Sequence, residues 1–166
     1  MLRSRDFYLV KVYDLKGKYL GVVEDIVVDF NSGIINGLLI SGISILKKNN
    51  YIQVEDIISF QECIIVKNTS RVKVKEILCF KDIKYMDIIN ATNVMIGVLE
   101  DIIIDLKDFT IKGLIMSSGI FDKMIKGKEI INIKSSILCE SYILYSGGNS
   151  VVFQTLPHNL GGLKQW

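Results

Sequence analysis

Two sets of three carboxylates are the residues of this chain most able to bind a metal ion or to transfer protons. They occur at the same spacing in each half of the 166-residue sequence: Glu24, Asp25 and Asp29, then Glu100, Asp101 and Asp105. On an extended strand, Asp25 and Asp29 share one face but lie roughly 13 Å apart. The oxygen ligands of a hard metal ion lie only about 2.0–2.6 Å from it, so one set cannot form a metal site by itself.

A shared site would require the two halves of the chain to bring their carboxylates together. This is the metal or small-molecule hypothesis, and its candidate residues are Asp25, Asp29, Asp101 and Asp105. The structural interpretation is that Asp25 and Asp101 cap or solvate strand edges. Asp29 and Asp105 would then start turns, a common role of aspartate. We favour the structural interpretation and predict no metal and no cofactor.

Nucleophilic catalysis has little support in the sequence. His158 is the only histidine, and it lies in the C-terminal tail, where a general base would be poorly held against a nucleophile. Cys63, Cys79 and Cys139 lack the Cys-x-x-Cys spacing of zinc sites. Three cysteines also suit a reducing, cytoplasmic setting better than a disulfide framework. No glycine motif for phosphate or dinucleotide binding is present, and we predict that the protein is not an enzyme.

A short basic stripe is the candidate for nucleic-acid contact. Arg71, Lys73 and Lys75 alternate with valines and would lie on one face of an extended segment, where they could contact phosphates. The chain carries 20 basic and 18 acidic residues, a net charge of +2, so no large basic surface is required. We expect a solvated linker rather than nucleic-acid binding.

A structural unit that the sequence contains twice positions these residues. With Gly21 aligned on Gly97, ten of the 22 residues from 20 to 41 are identical to those 76 positions later. After a loop that is three residues longer in the second copy, the offset becomes 79. We predict a first repeat over residues 1–70, a linker over 71–77, a second repeat over 78–150 and a C-terminal strand or tail over 151–166.

Short runs of valine and isoleucine separated by turn residues predict β-strands in both copies. Along residues 22–30, alternation puts Glu24 on the core-facing side with Ile26, Val28 and Phe30, and Asp25 on the other side with Val27. Glu24 and its counterpart Glu100 should then lie at the rim of the core, bonded to backbone or paired with a lysine.

The turns give two further expectations. Gly33 should end its hairpin turn with a positive φ, whereas the second copy has Phe109 at this position and should build its turn differently. Gly17 and Asn93 are also counterparts. Both residue types tolerate the left-handed region, so they should adopt the same backbone conformation.

One strand in each copy is apolar on both faces. Its residues are Leu38, Leu39 and Ile40 in the first copy, and Leu114, Ile115 and Met116 in the second. A strand buried on both sides needs an apolar surface in addition to its own core. We expect its outer face to pack against the sister repeat or against a second chain in a homo-oligomer. The alternative cover is a terminal helix or the C-terminal tail.

These features together resemble the PRC-barrel family. The resemblance rests on residues 20–29 and 96–105, the Gly-Leu-x-x-Ser strands at Gly37 and Gly113, and residues 51–58. It implies an all-β fold of two tandem small, strongly curved β-barrels with little helix, related by internal duplication and used as interaction modules. It carries no catalytic residues, and the second copy departs from it at Phe109 and at residues 133–136.

We therefore predict a non-enzymatic interaction or scaffold protein with a protein partner. Relatives in sporulation and in ribosome maturation suggest a sporulation-associated role or, alternatively, a ribosome- or RNA-associated factor; richness in Ile, Lys and Asn is typical of an AT-rich bacterial genome. Mean hydropathy is +0.36, yet no run reaches the ~18 to 20 apolar residues of a membrane span. The N-terminus lacks the apolar core of a signal peptide. We expect no transmembrane segment and a cytoplasmic location.

Overall fold

Runs of β-branched residues form strands along most of the described chain, as their β propensity predicts. The computed structural model describes residues 1–41, 50–71, 77–117, 128–147 and 151–153, with Arg71 and the last three described by backbone alone. The first copy contains β1 (Leu2–Arg3), β2 (Lys11–Asp14), β3 (Tyr19–Asp29), β4 (Ile34–Ser41), β5 (Asn50–Gln53), β6 (Ile57–Phe60), β7 (Cys63–Val66) and β8 (Ser70–Arg71). The second contains β9 (Asp87–Asn90), β10 (Met95–Asp105), β11 (Thr110–Ser117), β12 (Lys128–Ile131), β13 (Ser136–Leu138), β14 (Tyr142–Tyr145) and β15 (Val151–Phe153). Among the described residues, helix is limited to α1 (Phe80–Ile83) and to 3-10 turns at Ser4–Asp6, Val54–Asp56 and Ile133–Ser135.

The strands belong to one sheet in which each copy repeats the same order. Its path runs β13-β14-β9-β10-β11-β4-β3-β2-β7-β6, while β5 and β8 extend from β4, and β12 and β15 extend from β11. Among the described strands, no pairing closes either copy into a barrel. The predicted mostly β fold with little helix is confirmed, whereas the two closed barrels are not.

The two copies meet where β4 and β11 begin, with the pairing expected at a local twofold axis. Ile34 pairs with Thr110, and Thr110 is the residue that corresponds to Ile34 in the second copy, at the offset of 76. On either side, Ile35 N–H donates to the Phe109 carbonyl and Ile111 N–H donates to the Gly33 carbonyl, both at 2.8 Å. These reciprocal bonds make the sheet continuous from one copy to the other.

The turns that precede this junction place a residue with a positive φ at the same position in both copies. The turns differ in their hydrogen bonds, because Asp29 accepts the Ser32 N–H whereas Asp105 accepts the Lys107 N–H. The expectation of a different backbone conformation at Phe109 is nevertheless wrong, since Gly33 has a φ of +66° and Phe109 a φ of +53°. The reason is the junction itself, because both carbonyls must point at the opposite strand even though the left-handed region costs a non-glycine residue about 1–2 kcal/mol. Gly17 and Asn93 have φ values of +78° and +61°, which confirms their predicted equivalence.

A β-bulge in each long strand changes the face that its carboxylates occupy. The register of β3 against β4 skips Glu24, and the register of β10 against β11 skips Glu100. Beyond the bulge the predicted alternation holds, with Ile26 in the main core and Val27 on the opposite side. Glu24 itself is exposed rather than core-facing, so that part of the prediction is wrong, because the extra residue of a bulge shifts the alternation.

The beginning of each copy crosses to the sheet of the other copy. β1 pairs with β10, with Arg3 opposite Ile103. In the reciprocal contact Cys79, the counterpart of Arg3, bridges to Val27 of β3. We call residues 2–6 and 78–82 the crossing arms. Because each copy supplies an edge partner to the other, the two copies are interlocked as well as linked in sequence.

One main hydrophobic core contains side chains from both copies. Phe7 and Leu38 of the first copy are completely buried in it, as are Phe80 and Leu99 of the second. Complete burial of side chains of this size stabilises the fold by about 1.5–3 kcal/mol each. The two copies therefore share their main source of stability.

Candidate interaction surfaces

Asp101 is buried and holds the first crossing arm. Its Oδ1 accepts the Ser4 N–H at 3.0 Å, the Ser4 hydroxyl at 2.5 Å and the Ile102 N–H at 2.8 Å. Hydrogen bonds to a carboxylate are roughly twice as strong as bonds between neutral groups. Asp101 therefore anchors the start of copy one to copy two.

Asp25 is the counterpart of Asp101 and holds the second crossing arm. It is completely buried, and its Oδ2 lies 3.4 Å from the Lys81 N–H and 3.7 Å from Lys81 Nζ. Its Oδ1 accepts the Ile26 N–H at 2.8 Å and the Tyr8 hydroxyl at 3.3 Å. Burial raises the pKa of Asp25 above its ordinary value in spite of these donors.

The Tyr8 hydroxyl and the Cys79 thiol near Asp25 are held neutral. Burial, followed by the negative charge of Asp25, raises the pKa of Tyr8 and raises the pKa of the Cys79 thiol to about 11. A thiol that is protonated at neutral pH is a poor nucleophile. The cluster of Asp25, Tyr8 and Cys79 therefore has the properties of a structural site.

The bulge glutamates pair with lysines, as the sequence predicts. Lys81 Nζ lies 3.8 Å from Glu24 Oε1 as well as close to Asp25, and Lys128 Nζ contacts Glu100 Oε1. The side chains of Lys81 and Glu24 are 49% and 43% exposed, so their ion pair adds little to stability. The contact does show that Glu24 and Asp25 reach the same side of β3.

Asp29 and Asp105 start turns, which confirms the structural interpretation for them. Asp29 Oδ1 accepts the Ser32 N–H at 3.0 Å, and this bond is the main cause that lowers the pKa of Asp29. Asp105 Oδ1 accepts the Lys107 N–H at 3.1 Å. The interpretation needs correction for Asp25 and Asp101, which are buried anchors and are not solvated.

The four candidate metal ligands are thus divided between two different roles. Asp25 and Asp101 bind the crossing arms, while Asp29 and Asp105 bind turn backbone. Within the described ranges, no group of three or more histidine, cysteine or acidic side chains is placed to hold a metal ion.

The strand residues predicted to form an interface are all buried. Leu38, Ile40, Leu114 and Met116 belong to the main core, and Ile115 is 1% exposed. Leu39 lies in a separate cluster with Val27, Tyr51 and Cys79, against which Ile77 also packs. The outer face at Leu39 is therefore covered by the crossing arm of the second copy.

The basic stripe and the histidine fall largely outside the described residues. The backbone of Arg71 belongs to β8, where it pairs with Asn50. Lys73, Lys75 and His158 lie outside the described ranges. Nucleic-acid contact by the stripe stays a prediction.

An apolar row crosses the outer face of the second copy. Met95 of β10 pairs with Ile89 of β9, Ile89 pairs with Leu144 of β14, and Leu144 pairs with Ile137 of β13. Paired residues on neighbouring strands place their side chains on the same face of the sheet. Met95 is 55% exposed and Ile137 is 57% exposed. We call these four residues the second row.

The first copy carries the equivalent row. Tyr19 of β3 pairs with Tyr13 of β2, and Tyr13 pairs with Ile65 of β7. Ile58 completes the row at a bulge in β6, next to Ser59, the partner of Ile65. Ile58 is 53% exposed and Tyr19 is 36% exposed. We call Tyr13, Tyr19, Ile58 and Ile65 the first row, and each of its members is the repeat counterpart of a second-row residue.

Sequence reasoning missed both the crossing arms and the two rows. Val12 and Ile88 are buried. Because side chains alternate along a strand, their neighbours Tyr13 and Ile89 must point to the outer face of the sheet. A comparison of the copies at such outward positions would have found apolar residues in both. That β2 lies beside β7 in parallel is a long-range pairing that no local pattern reveals.

Comparisons with known proteins give the family. Within the described part of the chain, no helix is long and apolar enough to cross a membrane. The family model of the PRC-barrel domain matches residues 1–78 and again residues 75–139. No match is found among curated proteins. The two family matches follow the two copies and together cover most of the sequence, and the chain therefore belongs to the PRC-barrel family, with two PRC-barrel domains in tandem.

Proposed function

We propose that this protein is a non-enzymatic interaction or scaffold module whose two fused PRC-barrel domains bind protein through the first and second rows. The observation that carries the proposal is the occurrence of exposed apolar side chains at equivalent positions of both copies. Large exposed apolar groups mark interaction sites when they form a continuous patch. Each row spans neighbouring strands, so its members form such a patch.

The polar residues of the described chain support the non-enzymatic part of the proposal. The carboxylates that recur in both copies are occupied by backbone, hydroxyl or lysine partners. The Cys79 thiol, with a pKa of about 11, is not activated as a nucleophile. Cys63, Cys79 and Cys139 are all free, which suits the reducing, cytoplasmic setting that we propose. Closure of each copy into a small barrel and a role in sporulation belong to the same proposal.

Affinity capture from cells that naturally make the protein tests the proposal. The bait is compared with a variant that carries Ile58→Glu and Ile137→Glu, which places one carboxylate in each row. The matched control carries Gln53→Glu and Asn132→Asp, which adds the same two charges at exposed counterpart positions away from the rows. We expect the wild type and the control to retain the same protein partner and the double row variant to lose it. Equal retention by all three baits would contradict the proposal.

A further inference from the structure

We propose that the partner of each row is a second copy of this chain, joined head to tail so that the first row of one molecule packs on the second row of the next. This inference rests on the proposed function and adds the identity of the partner. Its basis is a difference between two surfaces that are otherwise equivalent. The apolar rows match position by position, but the charges beside them do not.

The charge difference between the two faces is clearest at the positions two residues before Tyr13 in the first row and before Ile89 in the second row. Lys11 lies two residues before Tyr13 on β2 and therefore shares the outer face with it, and Lys11 is exposed. Its counterpart on β9 is Asp87, which is also exposed and lies two residues before Ile89. The first row is thus flanked by a cation at the position where the second row is flanked by an anion.

The neighbouring turns reinforce the difference. The turn after β2 carries the exposed Lys16 and Lys18, whose counterparts in the turn after β9 are Thr92 and Val94. Asp14, the last residue of β2, adds one negative charge beside this turn, and its carboxylate accepts the backbone N–H groups of Lys16 and Lys18 at 2.8 and 2.9 Å. The turn after β2 therefore carries more positive charge than the turn after β9.

This pattern favours contact between unlike rows. Two first rows brought together would place Lys11 against Lys11, and two second rows would place Asp87 against Asp87. Like charges across an interface suppress association, whereas opposite charges set the register and speed the encounter. Contact between a first row and a second row buries apolar groups on both sides and brings Lys11 towards Asp87. Because such a contact is heterologous, it leaves a free first row at one end and a free second row at the other, and assembly can continue.

Sedimentation velocity of the purified full-length protein over a range of concentrations tests this inference. We expect the mean mass of the wild type to rise with concentration beyond that of a dimer. Ile58→Glu disrupts the first row and Ile137→Glu disrupts the second. A head-to-tail contact needs one intact first row and one intact second row. Each single variant alone should therefore stay monomeric, as judged at the concentration where half of the wild type is assembled.

The mixture of the two single variants is the decisive sample. Ile58→Glu keeps an intact second row and Ile137→Glu keeps an intact first row, so their equimolar mixture should form a 1:1 dimer that grows no further. The proposed contact between Lys11 and Asp87 is tested in the same way. Lys11→Glu should weaken assembly at least fivefold, and mixing this variant with an Asp87→Lys variant should restore association. The Gln53→Glu variant should assemble like the wild type.

Two outcomes would overturn the head-to-tail inference. Dimers formed by a single variant alone would show contacts between like rows. A wild type that stays monomeric at every concentration would show that the chain is not its own partner. The proposed function would then be tested by the affinity capture alone.

Discussion

The anchoring of the first crossing arm by Asp101 allows a quantitative test of the interlock between the copies. Ser4 and Asp101 are 97 residues apart in sequence, and they belong to different copies. Ser4→Ala removes a buried hydroxyl donor to the carboxylate. Because a hydrogen bond to a charged group contributes about 1.5–3 kcal/mol, we expect this variant to lose about 2 kcal/mol of the free energy of unfolding.

A double-mutant cycle isolates the part of this loss that belongs to the pair. The cycle consists of the wild type, Ser4→Ala, Asp101→Asn and the double variant, each unfolded in urea. We expect a coupling free energy of about 1–2 kcal/mol, since residues in one hydrogen-bonded pair usually couple by about 0.5–3 kcal/mol. With a urea dependence of about 2 kcal/mol per molar, the midpoint of Ser4→Ala should fall by about 1 M.

A second cycle gives the matched comparison. Tyr8→Phe with Asp25→Asn tests a hydroxyl bond to the counterpart carboxylate at 3.3 Å, within the first copy. The longer bond should give a smaller coupling than Ser4 with Asp101. The shared core also predicts one cooperative unfolding transition for the whole chain. A Ser4–Asp101 coupling below about 0.3 kcal/mol, or two separate transitions, would refute the interlock.

Four further predictions concern single residues. Burial raises the pKa of Asp25 above 3.8, so the folded state binds this proton more tightly than the unfolded state; the resulting stability is fully present below pH 3.8 and is lost as pH rises through the folded-state pKa. Asp25→Asn should therefore gain stability relative to the wild type as pH rises through that window, and a pH-independent difference in urea midpoints would contradict this. Gly37→Ala should destabilise the fold by several kcal/mol or prevent folding, because its Cβ would lie 2.2 Å from the Ile52 carbonyl oxygen. Gly17→Ala, with open space but a φ of +78°, should cost only about 1–2 kcal/mol in the same urea assay. Leu9→Gly should raise the urea midpoint by relieving a φ of +64° at a side chain that is 77% exposed, and a lower midpoint would show that the Leu9 side chain is needed for stability.

Much of the fold could be predicted from the sequence because the chain repeats itself. The duplicated segment predicts two copies, and the Gly17 and Asn93 pair predicts a shared turn conformation, which φ values of +78° and +61° confirm. Asp29 at the end of its strand predicts a turn, because its carboxylate can bind backbone N–H groups a few residues ahead. These are local properties of sequence, and local patterns predict them well.

The features that sequence reasoning missed depend on neighbours that are distant in sequence. The bulge at Glu24 is defined by the pairing of β3 with β4. The anchoring role of Asp101 depends on Ser4 of the other copy. Phe109 adopts a left-handed conformation that its own residue type disfavours, because its carbonyl accepts the Ile35 N–H across the junction. The rows likewise exist only because β2 lies beside β7 and β9 lies beside β14. In each case a tertiary contact decides what the local pattern leaves open.

The proposed interaction function can be tested most directly by photo-crosslinking in cells that naturally make the protein. A photoreactive phenylalanine analogue is placed at Ile58 or at Ile137, in the exposed part of each row, and at the exposed Gln53 as control. We predict that both row positions give crosslinked protein products, identified by mass spectrometry, at several times the yield obtained at Gln53. Equal yields at all three positions would contradict the proposal that the rows are the binding surfaces of this protein.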